Sequence, residues 1–251
     1  MSGNRQSSTG LPALGEGASL LALLEQDYID LSRELEEKLS RESAPYQISP
    51  VAIRLSDSVL AINQILLDGV GLELRIFYFP EICSAEIRRK GLLRAYNLSQ
   101  ALISKIQEAD QKTNLMSYSP TSFYRLTTIS ALVILKIIKS SYSNFVDAES
   151  GKSAFNSAIS LIRQSSVEDN DLPGRASKIL TQLWGIQSQR YQRTEDEPRI
   201  KLTTRSSASM LHDSLWLWRE RFGGLGSGTN SPNSKFREIL MKKSRTYSAD
   251  D

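Results

Sequence analysis

Apolar residues recur at intervals of three and four along most of this chain, and strict alternation is nearly absent. The pattern therefore predicts helices rather than strands. Leu20, Leu21, Leu24, Tyr28, Leu31, Leu35 and Leu39 mark a first amphipathic helix over residues 19–41. Its outer face carries Glu34–Lys38 and Glu37–Arg41 in the favourable i,i+4 order, and Pro45 stops it. Ser49–Pro50 places an N-cap serine before a proline at the first helical position. Val51, Leu55, Val59, Ile62 and Leu66 then form one apolar face. Gly69 and Gly71 interrupt that pattern and IFYFP leads to Pro80, which leaves a broken helix and a short extended stretch both open.

A third helix is predicted over residues 84–112, anchored by Ile87, Leu92, Leu93, Tyr96, Leu98, Leu102 and Ile106. Ser119–Pro120 repeats the serine-proline start and opens the most apolar helix, which ends near Ser140. Its stretch LTTISALVILKII contains Lys136 and is shorter than the ~20 apolar residues of a spanning helix, so it is read as a buried core helix and no membrane association is expected. A fifth helix over residues 151–164 turns Phe155, Ile159 and Ile162 inward. A sixth buries Ile179, Leu180, Leu183, Trp184 and Ile186, and a last one spans residues 209–222. The expected architecture is all-α: a disordered segment over residues 1–18, an irregular multi-helix body over 19–222, and a Gly/Ser linker with a basic, disordered tail over 223–251.

Composition narrows the chemistry. A net charge of +3 is too small to argue for nucleic acid by itself. With Cys83 the only cysteine and His212 the only histidine, an internal disulfide and a four-ligand Cys/His zinc site are both excluded. The start of the chain lacks a basic segment followed by an apolar core, so a soluble, intracellular protein is expected.

The stretch SSVEDNDLPGRASKILTQLW, from Ser165 to Trp184, gathers acids around a Pro-Gly. Asp169, Asp171 and Gly174 imitate three positions of a calcium loop, but Pro173 and Leu180 stand where oxygen ligands are required. Glu168, Asp169 and Asp171 could form a carboxylate pair, yet no histidine lies near them in sequence. A helix start accounts for the stretch better: Asn170 or Asp171 caps, Pro173 sits in the first turn, and the acids complement the helix dipole. The GKS of residues 151–153 has Val146 where a phosphate loop needs glycine. Ser209, His212 and Asp213 are triad types, but on one helix they cannot converge. Trp216 and Trp218 fall on different faces, one of them suited to the core beside Trp184.

Two stretches, SVEDNDLPGRASKILTQLW and RSSASMLHDSLWLWRERF, resemble the C-terminal regulatory part of fungal Zn2Cys6 transcription factors, nearest the weak-acid-resistance and leucine-pathway regulators. GLLRAYNLSQALI, SPTSFYRLTTISALVILKIIKS and GKSAFNSAISLIRQ continue the match over residues 19–222. The signature positions are Val167, Glu168, Asp169, Asn170, Asp171, Leu172, Pro173, Gly174, Arg175 and Trp184, then Asp213, Ser214, Leu215, Trp216 and Trp218. The resemblance implies a non-enzymatic, nuclear regulatory domain that acts through a protein partner, self-association or a small-molecule effector. Zinc would belong to the family's N-terminal cluster, which Cys83 alone cannot build, so no cofactor and no direct DNA binding are expected of this chain. A helical scaffold or dimerisation protein without a transcriptional role is the alternative.

Overall fold

The most apolar helix becomes the centre of the body. The computed structural model describes residues 14–42, 50–80, 83–118, 121–168, 170–186, 198, 200 and 208–223. Among them are eight α-helices and no strand: α1 (Leu14–Glu42), α2 (Pro50–Arg75), α3 (Ala85–Thr113), α4 (Leu115–Tyr118), α5 (Thr121–Ile138), α6 (Ala148–Gln164), α7 (Leu172–Gly185) and α8 (Ser209–Phe222). Two 3-10 turns follow α2 and α5, at Ile76–Tyr78 and Ser141–Phe145. The chain forms two compact units, Met1–Ser214 and Leu215–Asp251, so the boundary falls within α8 rather than after it. The linker and basic tail expected beyond Gly223 lie outside the described residues.

α5 packs against α3, α6 and α7. Ile129, Val133, Ile134 and Ile137 are fully buried on different sides of it, as expected of a helix apolar all round. Each such burial is worth about 1.5–3 kcal/mol relative to exposure. The buried hydroxyls of Thr127, Thr128 and Ser130 donate back to the carbonyls of Phe123, Tyr124 and Leu126, so none is left without a partner. α5 is 18 residues long and apolar enough, by length and composition, to cross a membrane, which the shorter sequence stretch did not suggest; 67% of it is buried inside the protein.

Around this centre, α3 also contacts α2 and α6. Tyr96 of α3 lies against Gly151 of α6, where a Cβ would collide with the phenol oxygen, and that oxygen donates to the Asp147 carbonyl at 2.6 Å. Asp147 in turn caps α6, accepting from the amides of Glu149 and Ser150. α2 and α3 are tied by Lys105 and the buried Asp68, 2.6 Å apart.

The interval from Gly69 to Pro80 is neither a broken helix nor an extended stretch. α2 runs through both glycines to Arg75 and tightens into the 3-10 turn. The glycines allow close approach: a Cβ on Gly69 would meet Leu126 at 2.8 Å, and one on Gly71 would meet the Tyr28 ring at 2.5 Å. Arg88, almost fully buried, holds the turn from beneath. Its guanidinium donates to the carbonyls of Tyr78, Phe79 and Pro198 at 3.0, 3.0 and 2.8 Å. Tyr78 donates to the buried Glu25 of α1 at 2.8 Å, and burial followed by that bond pushes its phenol pKa up.

Several expected core positions are elsewhere. On α1 Leu21 is buried, while Leu20, Leu24, Leu31 and Leu35 are exposed; the helix also begins at Leu14, inside the segment expected to be disordered. On α2 the inward face is Ile65, Asp68 and Leu72, and Val59 and Leu66 point to solvent. Ile87 is likewise exposed on α3, where Arg88 and Gly91 face inward. A leucine stripe shows that a helix has an apolar side, but not whether a neighbour covers it. Leu39, Val51 and Leu55 lie where side chains are outside the described residues.

Gly151→Ala is expected to lower the unfolding free energy by about 1–3 kcal/mol in urea titration, the usual cost of overpacking. Gly185→Ala, with open space around its Cβ position, should leave it unchanged or slightly raise it.

Candidate functional site

The signature stretch is the connection between α6 and α7, and Asp171 organises it. This residue is the N-cap of α7, so the choice left open between Asn170 and Asp171 falls to the aspartate. Its Oδ1 accepts from the Gly174 amide and the Ser166 hydroxyl, both at 2.8 Å. Its Oδ2 accepts from the amides of Val167 at 2.8 Å and Glu168 at 3.3 Å. The Gly174 amide is the first cause, and with the other donors it holds the carboxyl at about 2 against an ordinary 3.8. Both oxygens are thus committed to the protein's own donors, which leaves Asp171 serving a cap rather than a cation.

Its neighbours have local duties too. Asn170 takes the left-handed conformation, φ 80°, which asparagine tolerates better than most residues. Pro173 lies in the first turn, where it forfeits no helical hydrogen bond. A Cβ on Gly174 would stand 3.0 Å from both Asp171 Oδ1 and Ser166 Oγ, so glycine lets the cap close. No acid lies in the first turn of α7. Asp171 itself faces the helix dipole, and Glu168 contributes its backbone amide; Asp169 lies outside the described residues. The stretch leaves Val167 88% exposed and Leu172 59% exposed, with Arg175 exposed beside them.

Trp184, at the far end of α7, is half-buried and stacks on the buried Phe155 of α6 with centroids 4.5 Å apart. Lys139 stands 5.3 Å over the same indole, and burial pulls its ammonium pKa down. Leu180 and Leu183 are buried as expected, with Ser177 beside them on the inward face, whereas Ile179 and Ile186 are half-buried.

The second turn of α8 carries the most deeply buried charge pair among the described residues. Asp213 is buried, and its Oδ2 accepts from Lys136 Nζ of α5 at 2.6 Å, with side chains 6% and 9% exposed. This pair explains the one cation within the apolar run of α5. Ser214, also buried, donates to the Met210 carbonyl. Ser209 is buried and His212 exposed, so the three triad types point to different surroundings. In the second unit Leu215 and Trp216 are exposed, and Trp218 is half-buried against Phe222 at 6.4 Å. Neither tryptophan is buried, contrary to the expectation that one enters the core.

The signature residues therefore do not converge on one centre. Asp171, Trp184 and Asp213 each secure a different junction, and the sequence signal for the Lys136–Asp213 pair was a single lysine in an apolar helix. A separate groove of about 340 Å³ lies between α3, with Gln107, Asp110 and Gln111, and α6, with Ser153, Asn156, Ser157, Ser160, Leu161 and Gln164. Its lining is mostly neutral amides and hydroxyls, and Asp110 already accepts from the Met116 amide at 2.8 Å. Among the described residues no group of three or more His, Cys, Asp or Glu gathers to hold a metal ion. The residues do not fit a six-cysteine zinc cluster, since Cys83 is single and buried, with its thiol pKa raised by burial.

Asp171→Asn is expected to lower the melting temperature, because an amide donor would face the Val167 and Glu168 amides. The folded carboxyl has the lower pKa, so its stabilisation is complete above the unfolded value and is lost as pH falls toward about 2. Denaturation curves between about pH 4 and pH 2 should therefore converge for the parent and the variant. Lys136→Met removes the cation facing Asp213 and is expected to cost about 3–5 kcal/mol. Adding Asp213→Leu should recover most of that loss in the same urea titration.

No family model and no solved structure matches the chain. A curated relative is Regulatory protein LEU3 of Saccharomyces cerevisiae, 24% identical over 246 residues, which cover 89% of this chain. The chain spans about a quarter of that relative's length, 27%. The likeness runs through most of the helical body and relates this chain to a region of a fungal regulatory protein.

Proposed function

We propose that this chain is the regulatory region of a fungal transcription factor of the Zn2Cys6 kind, acting in the nucleus on RNA polymerase II transcription. The observation that carries the reading is the extent of the likeness to the yeast regulatory protein: 89% of this chain against 27% of that protein. A match of that shape relates a helical body to one portion of a larger regulator. The zinc cluster and the reading of DNA belong, on this view, to other sequence, and the body described here takes no cofactor.

Regulation in this reading proceeds through binding rather than turnover. The signature connection holds Val167 and Leu172 out to solvent on a loop fixed by Asp171, a suitable arrangement for engaging a protein partner. The groove between α3 and α6 has room for a small, polar, neutral effector. Neither feature places a nucleophile beside a base, so the body is assigned a regulatory and not a catalytic role.

The test joins the full chain to an unrelated DNA-binding module upstream of a reporter in yeast. Transcription should differ by about 5-fold or more from the module alone, a typical regulatory coupling, and Lys136→Met should abolish the difference. Output equal to the module alone, with the fusion intact and nuclear, would overturn the reading. The unfused chain is expected to give no sequence-selective, competitor-resistant shift of duplex DNA.

A further inference from the structure

Eight lysines fall among the described residues, and six of them face a carboxylate. Lys38, Lys90, Lys112 and Lys152 each pair with a glutamate one turn earlier on their own helix. Lys105 and Lys136 reach Asp68 and Asp213 across helices. Lys139 and Lys178 have no carboxylate partner among the described residues. Lys178 is exposed on α7, so water solvates its charge. Lys139, just past the end of α5, is half-buried. Its Nζ stands 5.3 Å from the centre of the Trp184 ring, which stacks in turn on the buried Phe155. The Ile137 carbonyl at the same helix end is already taken by Ser140, whose amide donates at 3.2 Å and hydroxyl at 2.7 Å. Burial is the one cause that moves the Lys139 pKa, and it moves it down. Lys139 therefore combines two features that no other described lysine shares: its ammonium is partly withdrawn from water, and no anion holds its proton in place.

We propose that Lys139 is an acylation site, at which a thioester donor transfers a short acyl group to Nζ. Acyl transfer needs the lone pair of the neutral amine, which a lysine in an ion pair seldom offers. The amine attacks the thioester carbonyl, and the C–N bond forms as the C–S bond breaks. The thiolate leaves, and the proton released by the nitrogen passes to it through water. The surroundings suit the product as well as the reaction. The Trp184–Phe155 stack presents an aromatic face against which a short acyl chain and its neutral amide can lie. Acylation also changes the junction. It removes the charge that attracts the end of α5 to the indole at the end of α7, and it leaves the Asp171 cap at the start of α7 untouched.

The test incubates the full chain with acetyl-coenzyme A at mildly alkaline pH and follows each lysine by peptide mass spectrometry. Lys139 is expected to gain its acetyl group about 5-fold or more faster than Lys178, because desolvation frees its amine. Lys136, enclosed with Asp213, should stay unmodified in the folded chain. Hydrogen exchange at the end of α7 should then rise in the acetylated protein and in Lys139→Gln. It should stay at the parent level in Lys139→Arg, which keeps a cation over the ring. A rate at Lys139 equal to or below that at Lys178 would overturn the site. Unchanged exchange at the end of α7 after acetylation would overturn its coupling to the junction. Both decisive measurements use the unsubstituted chain, so neither depends on a variant that folds. The outcome is independent of the transcriptional reading, which the reporter tests separately.

Discussion

A helix that is apolar on every side can exist in water only if other elements enclose it, and α5 imposes that requirement on the whole body. Three helices surround it, and the positions of α3, α6 and α7 follow from the need to remove its isoleucines, leucines and Val133 from solvent. Its polar groups survive enclosure because each has a nearby partner. The hydroxyls bond back along the helix, and the Lys136 ammonium finds Asp213 at 2.6 Å. Without an anion at that point, the helix could be buried only by leaving a cation in an apolar interior, at a cost of several kcal/mol.

The other buried charges follow a similar logic through different partners. Arg88 sits on three backbone carbonyls, which join the turn after α2 to the segment at Pro198, far away in sequence. Asp68 meets Lys105, and Glu25 meets the phenol of Tyr78. The contacts to Pro198, Lys105 and Glu25 join separate elements and are satisfied by one arrangement of them. Apolar contact alone favours burial without specifying orientation, whereas these polar contacts discriminate among packings. Their placement at helix junctions is consistent with a body that holds shape for binding.

Much of this was legible from periodicity. The helix class and the inward residues of α6 needed only the spacing of apolar positions, because the 3.6-residue repeat is a local property. The role of the acidic stretch before α7 was legible for the same reason: capping involves residues within a few positions of one another. Periodicity did not reveal which of two candidate residues would cap. That depended on Asn170 taking the left-handed turn, which brings Asp171 under the amides of Val167, Glu168 and Gly174.

The stripes of α1 and α2 mark where local reasoning stops. Leu24 and Leu31 have the same spacing as buried residues elsewhere, and only the position of α2 shows that α1 turns Leu21 and Glu25 inward instead. Likewise, Lys136 and Asp213 each read as an anomaly by itself, and their contact across 77 residues of sequence was not visible in either neighbourhood. The sequence by itself determined an all-helical body, the composition of its central helix and the local chemistry that starts α7, whereas α6 begins at Ala148 under an Asp147 cap, three residues before the expected start. The tertiary structure decided which apolar faces are covered, which charges pair and which glycines let two helices touch. Those outcomes depend on distances between elements, and no window along the chain contains them.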